Sequence, residues 1–161
     1  MKPLIVSLAM LASASVANAQ SLIFGAGYAD YSHEMGDDQA IVSLEYQHRP
    51  FHEATHFSAG WGAAASVDGA SDFHIGIGLY GIYDFDNRWF TEISVMPGYY
   101  DAGKPENEIG GSFQIRSLLA VGYAFDNGNR LSLAITHKSN ASTNDFNPGV
   151  NTTLVRFHKS F

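Results

Sequence analysis

Cysteine is absent from this 161-residue chain, so neither a disulfide nor a thiolate metal site nor a cysteine nucleophile can be part of it. Charge is scarce as well: Asp, Glu, Lys and Arg make up 16% of residues, against roughly 25% in ordinary soluble domains. What charge there is runs acidic, with nine Lys and Arg against 16 Asp and Glu and a formal net charge of -7. That balance argues against general nucleic-acid binding, which needs clustered cations to neutralise phosphates. No apolar run approaches the roughly 20 residues of a membrane-spanning helix, and sustained helical periodicity is missing too. Present instead are 45% hydrophobic residues, 13% aromatics and 16 glycines, too much apolar surface for a disordered chain.

The first residues read as a targeting segment. Met1-Lys2-Pro3 carries one positive charge, residues 4–16 are mostly apolar, and Ala17-Asn18-Ala19 forms a small-x-small site before Gln20. This predicts a cleaved secretory signal peptide over residues 1–19 and a mature domain over 20–161. A small secreted chain often relies on disulfides. Without cysteine, this one needs another device, and closing a β-sheet on itself is one.

Alternation with a period of two runs along the whole mature segment. Leu22, Phe24, Ala26 and Tyr28 share one face of a first strand; Val42, Leu44 and Tyr46 mark a second; Phe57, Ala59, Trp61, Ala63 and Ala65 a third. Phe73, Ile75, Ile77, Leu79 and Tyr83 mark a fourth, Trp89, Ile93, Val95 and Tyr99 a fifth, and Phe113, Ile115, Leu119, Val121, Tyr123 and Phe125 a sixth. Leu131, Leu133 and Ile135 begin a seventh, and Val155, Phe157 and Phe161 share a face of an eighth. In each strand the opposite face is small or polar. Bulky apolar residues outside and small or polar ones inside suit an eight-stranded antiparallel transmembrane β-barrel of the bacterial outer membrane, the inverse of a soluble calyx. Glu45, Glu92 and Arg116 fall on the inward faces, which predicts an internal charge network.

The connections alternate in length. Asp84-Phe85-Asp86-Asn87 and Asp126-Asn127-Gly128-Asn129 are tight, and the Asn-Gly pair predicts a type I′ hairpin turn. Segments near residues 32–39, 67–72, 100–111 and 140–149 are mostly longer and polar, as the extracellular loops of such barrels are. The seventh strand then ends at the outer leaflet.

His52-Glu53-Ala54-Thr55-His56 matches the zinc-protease pattern H-E-x-x-H. That chemistry requires a helix, which alone brings residues i and i+4 onto one face. Pro50 precedes it and a strand begins at Phe57, so it reads as a polar turn and no metal site is assigned. His33-Glu34 and Asp37-Asp38 read as a solvated loop rather than a cation site.

The end of the seventh strand carries the chemistry. His137 and Ser139 continue the outward parity of Leu131, Leu133 and Ile135, where lipid is expected. Two residues apart on one face, their Cβ atoms lie roughly 6 to 7 Å apart, close enough for an imidazole to reach a hydroxyl and activate it. A hairpin centred near Asn144 sets Asn151 opposite His137, where its amide would orient the ring. The alternative is that these polar residues merely occupy the membrane interface.

Phe113-Gln114-Ile115-Arg116-Ser117, Gly122-Tyr123-Ala124-Phe125, Asp126-Asn127-Gly128, His137-Lys138-Ser139-Asn140-Ala141 and Asn147-Pro148-Gly149-Val150-Asn151 together resemble the PagL-type lipid A deacylases, over about the last 50 residues. The resemblance implies a serine-hydrolase site that removes the ester-linked acyl chain at the 3-position of lipid A. It assigns His137 as general base, Ser139 as nucleophile and the Asn140 backbone N–H as an oxyanion-hole donor, with Ser142 at the place of a second donor where the family often has glycine. Glutamate is usual at the position of Asn151, so the acidic third member is open and Asp145 is an alternative. No cofactor is implied. The expected partners are lipid A or lipopolysaccharide as substrate and the outer membrane itself, with a homodimer allowed and no nucleic acid. The competing reading is a non-enzymatic barrel with a structural or adhesion role.

Overall fold

The computed structural model describes residues 20–34 and 36–161, and the signal peptide expected over residues 1–19 lies outside them. Eight long strands follow one another: β1 (Ser21–Tyr31), β2 (Gln39–Gln47), β3 (Phe57–Asp68), β4 (Phe73–Asp84), β5 (Trp89–Asp101), β6 (Phe113–Ala124), β7 (Arg130–Ser139) and β8 (Val150–Ser160). Each pairs antiparallel with its sequence neighbours, and β1 pairs with β8, so the sheet closes into an eight-stranded barrel. Closure satisfies both ladders of every strand and leaves no open edge, which is how a chain without cysteine holds its shape.

The parity expected from the sequence is the parity observed. Ile77, Leu79, Ile93, Val95, Leu133, Ile135 and Val155 point outward and are more than half exposed, forming the apolar wall that an outer-membrane barrel presents to lipid. The lumen holds the charge network foreseen for Glu45, Glu92 and Arg116, with a central member that the sequence reading did not single out. Arg156, between outward Val155 and Phe157, donates from Nε to Glu45 Oε1 at 3.0 Å and from Nη2 to Glu92 Oε1 at 2.8 Å. Arg116 Nη2 donates to Glu45 Oε1 at 2.9 Å, and Gln47 Nε2 to Glu92 Oε1 at 2.9 Å. Two guanidinium and two carboxylate groups thus neutralise one another, each with hydrogen bonds, as fully buried charges must.

The short-turn end departs from expectation in one detail. A type I′ turn needs positive φ at both central residues, yet at residues 126–129 only Gly128 is left-handed, with φ 79°. Gly128 N–H donates to Phe125 O at 3.1 Å and Phe125 N–H to Asn129 O at 2.9 Å, the pattern of a three-residue loop closed by one left-handed residue. Asn127 is spared the Cβ penalty, and a single glycine supplies the positive φ. Arg88 fills the equivalent position after β4 with φ 71°, and its guanidinium pairs with Asp126 at 2.7 Å. The H-E-x-x-H segment is not helical: His52–Glu53 is a two-residue strand pairing with Ala59 and Ser58, and His56 Nδ1 lies 3.1 Å from Asp84 O.

The loops at the opposite end are tied to one another. Tyr31 Oη lies 2.9 Å from Asp68 Oδ2 and 2.7 Å from Asp72 Oδ2, while Tyr100 Oη donates to Asn107 O at 2.7 Å. Asn107 sits in a short 3-10 turn, Pro105–Asn107. Its side chain accepts from Asp37 N–H at 2.8 Å, and Lys104 pairs with Asp37. Asn140 completes the set by donating to Gly110 O at 3.0 Å and Phe146 O at 2.8 Å. The segment over residues 140–149 is therefore anchored against the neighbouring loop rather than left free.

Candidate active site

Strand β7 alternates without interruption from Leu131 to Ser139, so Ser132, Ala134, Thr136 and Lys138 are buried while Leu133, Ile135 and His137 face out. His137 and Ser139 therefore share the outer face at the long-loop end, with Ser139 half-buried. The β7–β8 register sets His137 directly opposite Asn151, and 2.8 Å separates His137 Nδ1 from Asn151 Oδ1. An amide oxygen accepts only, so Nδ1 carries the proton and Nε2 is left as the basic nitrogen. Asn151 is held in turn: its Nδ2 donates to Ser32 Oγ at 3.2 Å.

The imidazole also has a floor. Gly149 has φ 73°, and a Cβ there would stand 2.8 Å from His137 Cε1 and 3.3 Å from Nε2. Glycine at this position answers both a backbone and a packing requirement. Ser139 pairs across the sheet with Ile115 and makes no hydrogen bond to His137. Asp145 is exposed in the 140–149 loop and makes no hydrogen bond to the ring either.

After Ser139 the chain turns sharply. Ala141 and Ser142 have φ 52° and 61°, and Thr143 N–H donates to Asn140 O at 3.1 Å. Two successive left-handed residues that are not glycine cost about 1–3 kcal/mol each, a strain that concentrates at functional sites. The Asn140 side chain is fully buried and fixes the loop, and its backbone N–H donates to Asn147 Oδ1 at 3.0 Å. An amide oxygen thus already occupies the donor that the resemblance assigns to an oxyanion.

A shallow cleft of about 470 Å³ opens beside His137 and Asn151, lined on the outer face by Tyr28, Asp30, Ser117, Leu119, Ile135 and Thr153. Its polar part is one row running straight across four strands. Asp30 stands opposite Asn151, Asn151 opposite His137, and His137 opposite Ser117. The row beside it, Tyr28, Thr153, Ile135 and Leu119, is more apolar. A carbonyl can meet the polar row while hydrocarbon lies along the apolar one. Sequence reasoning placed His137, Ser139 and Asn151 on this wall but stopped short of Asp30 and Ser117. Both were within its reach, since Asp30 continues the parity of Tyr28 and Ser117 lies between outward Ile115 and Leu119.

The family model described as lipid A 3-O-deacylase (PagL) matches residues 38–160. Among solved structures, the outer membrane enzyme PagL superposes with a TM-score of 0.66 at 16% identity, covering 86% of this chain and 97% of that one. Neisserial surface protein A gives a TM-score of 0.57 at 12% identity, with 89% and 96% covered. The Yersinia pestis outer membrane protein Ail gives 0.53 at 10% identity, with 90% and 100% covered. At these identities the structures establish a shared fold, that of a small outer-membrane barrel. No curated protein sequence matches the chain.

Proposed function

The chain belongs to the lipid A 3-O-deacylase (PagL) family, and from that premise we propose that it is an outer-membrane serine esterase that hydrolyses the 3-O-linked acyl chain of lipid A. The long-loop end faces the cell exterior, and lipid A in the outer leaflet reaches the cleft from the side. Ser139 Oγ attacks the acyl carbonyl as His137 Nε2 takes its proton. The tetrahedral intermediate collapses, the sugar 3-oxygen leaves with that proton, and the acyl chain stays on Ser139. Water, deprotonated by the same nitrogen, then releases the fatty acid and restores the serine.

The observation that carries this reading is the 2.8 Å contact between His137 Nδ1 and Asn151 Oδ1, in a short polar row on a wall that is mostly apolar. It leaves Nε2 basic, as a general base requires. A catalytic hydrogen bond is often loose before substrate binds, so the open His137–Ser139 geometry suits a resting site. The Asn140 and Ser142 N–H groups are the proposed oxyanion donors. The amide oxygen of Asn147 against Asn140 N–H is the kind of ligand that an oxyanion would replace.

Mass spectrometry of lipid A from cells expressing the wild type and Ser139→Ala tests the proposal. Loss of one ester-linked chain with the wild type, and none with Ser139→Ala, is expected. An intact lipid A in both would favour the second reading, a non-enzymatic barrel, whose support is that the Asn140 donor is already engaged.

A further inference from the structure

The proposed site lacks an acid at the ring, since Asn151 stands where the family resemblance implies a carboxylate and Asp145 makes no bond to His137. Asp30 is an exposed carboxylate on the lipid-facing parity of β1. It stands one residue from the end of β1, at the outer rim of the wall beside the cleft, where a carboxylate costs at most about 1 kcal/mol. Among the described residues no hydrogen bond or ion pair engages it. It lies directly across from Asn151, and Asn151 holds His137. We infer that Asp30 is a positioning residue of the proposed esterase, acting through the Asn151 amide to stabilise the charge that His137 acquires when it takes the serine proton.

The row geometry makes the amide a spacer. Directly opposed residues on neighbouring strands sit about 5 Å apart, which sets Asp30 two strand spacings from His137. Asn151 Oδ1 faces the ring and its Nδ2 faces the end of β1, where the Oγ of Ser32, the residue just past the strand, accepts. The amide dipole thus has its negative end toward the imidazole and its positive end toward the strand that carries the carboxylate. The other charged groups around the ring are placed differently. Lys138 on β7 and Arg116 on β6 are buried on the lumen side. On the β1 side, Tyr28 Oη donates to Asp38 Oδ2 at 3.4 Å, and the Tyr31 N–H also donates to Asp38. Glu34 and Asp145 lie in loops. Asp30 is the acid in the row itself.

The test uses the refolded full barrel in detergent, with heat modifiability on gels as the check of folding. Asp30→Asn should lower kcat/KM about tenfold, the scale of one charge roughly 10 Å away across a partly polar surface. The loss should fall on kcat, with KM within about twofold of wild type, because the stabilised charge exists only once the proton has moved. Asp30→Glu should retain both properties. Asn151→Glu sets a carboxylate against the ring directly, and in that background Asp30→Asn should have little further effect. The same loss should be visible without lipid A, as slower labelling of Ser139 by a fluorophosphonate probe in Asp30→Asn than in wild type. A folded Asp30→Asn with unchanged kcat and an unchanged labelling rate overturns the inference and leaves the esterase reading standing. Labelling slowed by Asp30→Asn, with a wild type that leaves lipid A intact, does the reverse.

Discussion

Gly149 closes against the imidazole of His137, so near that a methyl group on its Cα would stand 2.8 Å from Cε1. The contact joins the loop to the strand at the ring of the proposed general base. It also explains why the residue just before β8 has to be glycine on packing grounds as well as for its φ of 73°.

Gly149→Ala should therefore displace the His137 ring while leaving the barrel closed. A shift on the order of 1 Å costs on the order of 100-fold in rate at a site that works by orientation. Turnover measured on lipid A, with heat modifiability as the fold control, checks this. Near-normal turnover would show that the ring tolerates displacement or does not act.

Two serines flank His137 on the outer face, Ser139 along β7 and Ser117 directly across on β6. Ser139→Ala should abolish deacylation, and Ser117→Ala should leave it within a few-fold of wild type. The opposite pattern would move the nucleophile to β6. Labelling with a fluorophosphonate probe, followed by peptide mapping, gives an independent readout.

The stability of the barrel depends on Arg156, which bridges Glu45 and Glu92 in the lumen. Arg156→Met leaves two carboxylates facing each other with one cation, Arg116, for both. Breaking a buried pair in this way costs about 3–5 kcal/mol. The urea midpoint, followed by tryptophan fluorescence, should fall accordingly. A double change of Arg156→Met with Glu92→Gln should recover part of the loss.

At the long-loop end, Lys104 holds the Asp37 carboxyl below the usual carboxylate range, and the same pair raises Lys104. A depressed acid contributes to folded-state stability above its unfolded value, and that contribution is lost as pH falls through the folded one. Residues 36–38 should thus stay docked on the 102–112 loop at neutral pH and loosen only below about pH 4. Limited proteolysis across that range checks it, and Lys104→Met should give the acid pattern already at pH 7.

The wall and the lumen were legible because alternation leaves each side chain only two directions. Once Leu133 is known to face out, Ser132 faces in and His137 out. The network around Arg156 was only partly legible, because Glu45, Glu92 and Arg116 come from three strands and their meeting depends on the shear of the closed barrel. The loop was least legible. Ala141 and Ser142 carry none of the marks of residues that turn left-handed, and Asn140 is buried by a partner, Gly110, 30 positions away in the chain. The row from Asp30 to Ser117 needed register between four strands, which parity alone does not supply.

The four interlocked charges of Glu45, Arg116, Arg156 and Glu92 have a consequence for how such a protein meets its surroundings. These buried, mutually paired side chains plug the middle of the lumen, so at that level the barrel is a post rather than a duct. Every encounter with a lipid then takes place by sideways diffusion in the plane of the leaflet, a two-dimensional search in which nothing has to enter the protein or be expelled from it. The rate at which neighbours exchange along that wall becomes a property of the membrane's fluidity as much as of the protein.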